Sequence, residues 1–168
     1  MTRPRLSKFF LSLFLGGLTI LQVGCAGTYT GGGFIPSAAD RDQKANYGFN
    51  FHATDIDGDG LVDGPLDEHK GRLLYHDKAA GVAIQGDVTF AYVADWANFR
   101  GFVEGTYVNQ PLNSGSGGRF YVQTVDVDEP GAGSDSFAIR LIGNDGSYYS
   151  NAGRIDGGNI QYHPPEEE

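Results

Sequence analysis

The sequence predicts an all-β protein whose strands form a small antiparallel up-and-down β-barrel of about eight strands. Short segments alternate apolar and polar residues with a period of two, as in YGFNFHA (47–53) and GRFYVQTVDV (118–127). Turn residues separate these segments at hairpin distances, and no stretch shows helical periodicity. Because frequent glycines suit a tightly curved sheet, a barrel is favoured over a β-sandwich, which is the alternative.

The predicted strands follow one another with short links, so consecutive strands should be antiparallel neighbours. They are 47–53, 71–77, 81–86, 87–96, 99–108, 118–127, 135–143, 147–150 and 153–163. Period-two alternation in the fourth segment places Val88, Phe90, Tyr92, Ala94 and Trp96 on one face. GNDG (143–146) is a hairpin signal. Together these segments cover about three fifths of residues 46–163.

The N-terminus is typical of an export signal. Three cations precede sixteen uncharged residues, 9–24, which are fewer than the roughly 20 apolar residues that a membrane-spanning helix needs. Cys25, the only cysteine, follows directly. LQVGC (21–25) resembles the lipobox of bacterial lipoproteins, although Gln22 stands where a Leu is usual. We therefore expect residues 1–24 to be a lipoprotein signal peptide and Cys25 to be lipidated; ordinary cleavage to a secreted or periplasmic soluble protein is the alternative.

The remaining organisation follows from composition. Residues 25–45 are rich in glycine without a sustained period, which predicts a flexible tether. Residues 46–163 form the β domain, and 164–168 are an acidic tail. Removal of residues 1–24 takes away three cations and no acids, so the net charge moves from −9 to −12.

This charge bears on partners and location. An acidic surface disfavours nucleic acid and disfavours electrostatic docking on anionic lipid. We expect an exported monomer that contacts the membrane only through its lipid anchor, at the outer membrane or cell surface. A protein or glycan partner is possible on this sequence, and its identity is left open.

Several motifs resemble the post-COAP-1 type of extracellular bacterial β domain across about residues 46–163. The most specific are D-x-D-E-P-G-x-G-x-D-x-F (126–137) and G-G-N-I-Q (157–161). The resemblance implies a small β-barrel-like fold with no recognised enzymatic activity, and it supplies no catalytic residues. The chain departs from the family between its first two predicted strands, where TDIDGDGLVDGPLDEH (54–69) replaces a short hairpin.

That insertion contains most of a calcium loop. Aspartates stand at loop positions 1, 3, 5 and 9, a glycine allows the sharp turn at position 6, and position 7 offers a backbone carbonyl. The candidate ligands are Asp55, Asp57, Asp59, Leu61, Asp63 and Asp67. The usual Glu at position 12 is absent, and either Asp67 or Glu68 could complete the site. We expect weakly bound calcium with a structural role; a solvated acidic turn is the alternative.

Other chemistry is less well supported by the sequence. A second acidic group, Asp126, Asp128, Glu129 and Asp135, surrounds a Pro-Gly turn, and a plain turn is its preferred interpretation. The histidines lack zinc-type spacing, and adjacent His76 and Asp77 should point to opposite faces of a strand. We therefore expect no enzyme. The aromatic residues should fill the interior, and a lipocalin-like binder of a small apolar ligand or a glycan is the alternative function.

Overall fold

The computed structural model describes residues 27–56, 67–94, 99–107 and 117–163, and all regular structure in these ranges is β. The strands are β1 (Gly27–Pro36), β2 (Lys44–Thr54), β3 (Glu68–Asp77), β4 (Val82–Ala94), β5 (Phe99–Tyr107), β6 (Gly118–Asp126), β7 (Ser136–Gly143), β8 (Tyr148–Arg154) and β9 (Gly157–His163). In these ranges no helix has the length and apolarity needed to cross a membrane.

All nine strands belong to one sheet in the order β8-β7-β6-β5-β4-β3-β2-β1-β9, and every neighbouring pair is antiparallel. The predicted all-β, antiparallel class is confirmed. The chain adds one strand after another to the same side from β1 to β8, as the short links between predicted strands indicate. The segments 81–86 and 87–96 were predicted as separate strands, but residues 82–94 form the single strand β4; residues 95 and 96 lie outside the described ranges.

The predicted tether is wrong for residues 27–36, which form β1 between β2 and β9. Tyr29 and Ile35 point inward and are almost fully buried. The glycines between them permit close packing: a Cβ at Gly31 would collide with the Phe49 ring, and one at Gly33 with a backbone carbonyl of β9. Composition alone therefore made a tightly packed strand look like a flexible linker.

A β-bulge in β4 makes the predicted face of that strand wrong after Val88. The register with β5 shifts between Val88 and Phe90, so one extra residue is accommodated there. Val88 is buried, but the next fully buried position is Ala91, while Phe90 is half-buried. Strict alternation from Val88 therefore does not hold beyond the bulge, because the extra residue reverses which side chains face inward.

Stacked aromatic rings occupy the centre of the inward-facing side. Tyr47 lies parallel to Phe137 at 4.2 Å between ring centroids, and Phe49 lies on Phe51 at 4.4 Å. Aliphatic side chains such as Leu73, Ile139 and Leu141 surround them. Burial of this apolar surface is the main force that stabilises the sheet in its curved form.

The two outer strands of the sheet, β8 and β9, are consecutive in the chain and are separated only by Ile155 and Asp156. They run in the same direction, and three Cα–Cα steps keep their facing ends within about 11 Å. The Ile155 amide donates to the Asp135 carbonyl (3.0 Å), and the Asp156 amide donates to the Phe34 carbonyl of β1 (3.0 Å). The two outer strands therefore follow one another end to end, joined by two residues that bond to Asp135 on one side and to β1 on the other.

The β6–β7 loop covers the edge of β9 that β1 leaves open. The Ile160 amide donates to an oxygen of the Asp135 carboxylate (3.1 Å), and the Tyr162 amide donates to Asp126 (3.0 Å). Asn159 accepts from the Gly131 amide (2.7 Å). The two motifs that carry the post-COAP-1 resemblance thus contact each other directly. They supply partners for backbone groups that an exposed edge strand would leave unpaired.

Candidate ligand-binding cleft

A cleft of about 570 Å³, open to solvent, lies across the outward faces of β6, β7 and β8 and beneath the β1–β2 turn. Strand register builds its floor: Tyr121 is opposite Arg140, which is opposite Ser150. One row further along, Gln123, Ala138 and Ala152 are aligned in the same way. Small side chains on β7 and β8 leave the depression, while longer side chains and the turn form its walls.

Two guanidinium groups line this cleft. The Arg140 guanidinium carbon lies 4.5 Å from the centroid of the Tyr121 ring, which orients it by a cation–π contact. Arg41 reaches in from the β1–β2 turn. A Cβ at Gly153 would lie 3.9 Å from Arg41 Nη2, an ordinary van der Waals distance, which places this guanidinium beside β8.

Neither guanidinium is neutralised by a carboxylate in the part of the chain that the structure describes. The ion pairs there join Lys70 to Glu68 (3.1 Å) and Arg72 to Asp87 (3.4 Å), all of which lie on β3 and β4. Arg41 and Arg140 therefore give the cleft a positive charge on a chain whose net charge is −9. Such a local reversal of sign favours an anionic ligand.

A buried polar network supports the cleft from below. Asn151, a lining residue, donates through Nδ2 to the Pro36 carbonyl (3.0 Å) and to the Tyr75 hydroxyl (3.0 Å). Its Oδ1 accepts from the Ala152 amide (2.9 Å). Asn151 thus ties β8 to the end of β1, where the arginine-bearing turn begins.

Asp77 is the centre of this network and is fully buried. Its carboxylate accepts from the Ser37 hydroxyl (2.7 Å) and the Tyr149 hydroxyl (2.8 Å). The amides of Ala38 and Ala80 each donate at 3.1 Å. These four bonds hold both adjoining turns and β8 to one charged group, which is the arrangement a buried carboxylate requires.

The electrostatics of the network follow from these bonds. Burial by itself would raise the pKa of the Asp77 carboxyl, but the hydrogen bonds from Ser37 and Tyr149 and from two amides outweigh burial. The pKa of Asp77 is therefore below its ordinary value, and the group stays ionised. Burial raises the pKa of Tyr75 and of Tyr149, so both phenols stay neutral and continue to donate. His76 is exposed while Asp77 is buried, as predicted for neighbouring strand residues.

A second groove, of about 630 Å³, crosses the outward faces of β2, β3 and β4. It forms because Gly48 has no side chain, and a Cβ there would meet nothing within 4 Å. Leu74, 55% exposed, and Gln85 lie beside it in the same register row. No lysine or arginine belongs to its lining among the described residues.

Most of the predicted calcium loop lies outside the described residues. The candidate ligands outside them are Asp57, Asp59, Leu61 and Asp63. Asp55 and Asp67 lie at its base, where Asp67 Oδ1 accepts from the Ile56 amide (3.2 Å) and the Asp67 side chain is 8% exposed. Glu68 instead forms an exposed ion pair with Lys70 (3.1 Å). Of the two candidates for the closing ligand, Asp67 is thus the one directed into the base of the loop.

The second acidic group binds protein groups. Asp126 and Asp135 accept from β9 amides as described, and Glu129 accepts from Asn159 Nδ2 (2.8 Å). Burial raises the pKa of Asp126, with the nearby charges of Asp135 and Glu129 adding to the effect. Across the described ranges, no three His, Cys, Asp or Glu side chains are grouped in a way that could hold a metal ion. The predicted signal peptide, Cys25 and the tail 164–168 lie outside those ranges.

Sequence reasoning missed the cleft. Its residues come from three strands and a turn, and no local motif unites them. The available signal was the outward position of Tyr121 and Arg140 on adjacent predicted strands, where cross-strand pairing would bring an arginine onto a tyrosine. Arg41 gave no such signal, because its segment had been predicted to be tether.

Comparison with known proteins finds no matching protein-family model, no matching curated protein and no matching solved structure. The fold and the site geometry are therefore the grounds for a functional assignment.

Proposed function

We propose that the protein is a non-enzymatic β-barrel binding module of the bacterial cell envelope, and that the cleft over β6–β8 is its binding site. The observation that carries the proposal is the pair Arg41 and Arg140, which line a cleft of about 570 Å³ without a carboxylate partner among the described residues. Its volume is in the range of small-ligand sites. The post-COAP-1 resemblance supports an extracellular module without catalytic residues.

Closure of the sheet into a barrel is part of this proposal. Residues 148–163 act as one bent final strand, which pairs with β7 through its first half and with β1 through its second. Bonds from Ile155 and Asp156 to both sides support continuity across the join. An eight-stranded closed sheet gives a rigid scaffold, and a rigid scaffold keeps cleft residues from different strands at fixed distances.

The packed interior favours an outward site over a lipocalin-like internal cavity. Tyr47, Phe49, Phe51 and Phe137 stack on one another in the space where an internal ligand would lie. An internal ligand would have to displace these rings and lose their buried contacts. A small apolar ligand within the barrel is therefore the weaker candidate.

Filling the cleft tests the binding proposal. Ala152→Trp places a large side chain in the cleft, and Ala83→Trp places the same side chain on the outward face of β4 as a matched control. Retention on immobilised envelope polysaccharide is expected for wild type and for Ala83→Trp, and loss of retention for Ala152→Trp. Equal retention of both variants, or no retention of wild type, would contradict the assignment of the cleft.

The location rests on the predicted lipidation of Cys25. The lone cysteine at the end of an uncharged segment, preceded by Gly24, supports an anchor after export. Cys25→Ala is expected to move the protein from the membrane fraction to the soluble fraction, and Cys25→Ser serves as a second variant. Unchanged membrane association in both would reject the anchor.

The insertion 54–69 is proposed as a calcium staple, with Asp55, Asp57, Asp59, Leu61, Asp63 and Asp67 as ligands. Support comes from its aspartate spacing and from Asp67, which already closes the base of the loop through the Ile56 amide. Millimolar calcium should raise Tm for wild type and not for Asp57→Ala, with magnesium as the ion control. No calcium-dependent change in Tm would remove this part of the proposal.

A further inference from the structure

We infer that the cleft binds a carboxylate-bearing saccharide, with Arg140 and Arg41 as the groups that recognise the carboxylate. This inference rests on the proposed function, because it names the ligand class of the same cleft. It follows from the charge of the lining, from the polar groups beside that charge, and from the way the β8 edge is covered.

The two arginines supply the recognition of charge. A guanidinium presents parallel N–H groups that match the two oxygens of a carboxylate. The Tyr121 ring, 4.5 Å from the Arg140 guanidinium carbon, restrains that group and reduces the entropy lost when a ligand binds. Arg41 lines the same cleft from the β1–β2 turn, so the two guanidinium groups reach the cleft from different elements of the fold.

The remaining lining is suited to sugar hydroxyls. Gln123 and Ser150 offer both donors and acceptors; Ser150 lies opposite Arg140 in the strand register, and Gln123 lies in the next row. Ala138 and Ala152 give a flat, weakly apolar floor on which the C–H face of a sugar ring can lie. This alternation of polar groups with small apolar surface is unlike a lipid site, which would be mostly apolar.

A peptide that adds to the sheet as a strand is disfavoured by the covered edge of β8. The Ala152 amide is already taken by Asn151 Oδ1 (2.9 Å), and Asn151 Nδ2 binds the Pro36 carbonyl (3.0 Å). The end of β1 therefore occupies a position that an added strand would need for its main-chain bonds.

The experiment is calorimetric titration of the protein with a uronic-acid trisaccharide and with the corresponding neutral trisaccharide. Arg140→Gln and Arg41→Gln should each weaken binding of the acidic sugar about tenfold, the loss expected for one hydrogen bond to a charged group. Arg72→Gln makes the same change of charge on β3 outside the cleft and should leave affinity unchanged. Binding of the acidic sugar should also weaken as salt is raised.

The outcomes separate the two levels of the proposal. The inference is supported if wild type and Arg72→Gln bind the acidic sugar more tightly than the neutral one, and if Arg140→Gln and Arg41→Gln each weaken binding of the acidic sugar. Equal binding of acidic and neutral sugars, with retention still lost in Ala152→Trp, overturns the carboxylate assignment and leaves the binding module standing. Absence of binding to both sugars also overturns the inference. If wild type in addition shows no retention on envelope polysaccharide, the proposed function fails with it.

Discussion

The cleft over β6–β8 and the groove over β2–β4 are similar in size, about 570 and 630 Å³, and both lie on outward faces of the same sheet. They differ in what lines them and in what lies beneath. The cleft has two guanidinium groups without carboxylate partners among the described residues, and it is built on the Asp77 network. The groove is a shallow depression at Gly48, beside the exposed side chain of Leu74, and its described lining contains no arginine or lysine.

The comparison shows that volume alone does not identify a site on a curved sheet. A missing side chain produces a depression anywhere on the outward surface. Of these two depressions, the cleft over β6–β8 is the one that coincides with unneutralised charge and with a hydrogen-bonded base, which holds recognition groups in place.

Asp77→Asn should destabilise the protein by about 3 kcal/mol, because an amide cannot replace a carboxylate that accepts four hydrogen bonds in a buried site. The same variant should weaken ligand binding in the cleft, since Ser37 and Ala38 position the turn that carries Arg41. Urea unfolding measures the stability. Ser37→Ala, which removes one of the four donors, should cost about 1 kcal/mol. Equal stability of Asp77→Asn and wild type would show that the network does not support the cleft.

The stabilisation from Asp77 should depend on pH. Because the fold lowers the pKa of this carboxyl below its ordinary value of 3.8, its contribution is fully present above about pH 4 and is lost as the pH falls through the folded-state pKa. The difference in unfolding free energy between wild type and Asp77→Asn should therefore shrink below about pH 4. Urea titrations between about pH 2.5 and pH 6 measure it, and a difference independent of pH would contradict the assignment.

Gly48→Thr should raise stability by about 0.5–1 kcal/mol, because a strand glycine carries an entropic cost and a Cβ here meets nothing within 4 Å. The variant fills the β2–β4 groove and should leave binding in the β6–β8 cleft unchanged. Thermal unfolding and sugar titration on the same sample check both points. Lost binding would mean that the groove belongs to the site.

Leu74→Gln should have the smallest effect. This side chain is 55% exposed, so the change in unfolding free energy should stay within about 0.5 kcal/mol. Ligand affinity should not change, because the groove contributes no recognition group. A loss of affinity comparable to that of Arg140→Gln would remove the distinction between the two regions.

The strand pattern was accessible to sequence reasoning because period-two alternation and turn residues are local signals. Where long-range packing decides the outcome, reasoning from local pattern failed. Gly31 and Gly33 indicated a flexible tether, whereas they permit close packing within β1. The bulge after Val88 reversed the inward face of β4, and nothing local in the sequence marks that extra residue.

The functional region could be predicted only in part. The motifs 126–137 and 157–161 were recognised separately, but their mutual contact through Asp135 and Ile160 depends on the final strand returning beside β1. The cleft unites Arg41 and Arg140, which are 99 positions apart, so no spacing rule could join them. The sequence singled out Asp77 only as the neighbour of His76. Its importance comes from its burial, and burial is set by the fold and not by the local sequence.

NMR chemical-shift mapping with the uronic-acid trisaccharide tests most directly that the cleft over β6–β8, and not the β2–β4 groove, is the binding site. The amides of Gln123, Arg140 and Ala152 should shift in a saturable manner, while those of Gly48 and Leu74 should stay in place. The neutral trisaccharide should cause much smaller changes at the same concentration. Shifts concentrated around Gly48 and Leu74, or none in the cleft, would contradict the assignment.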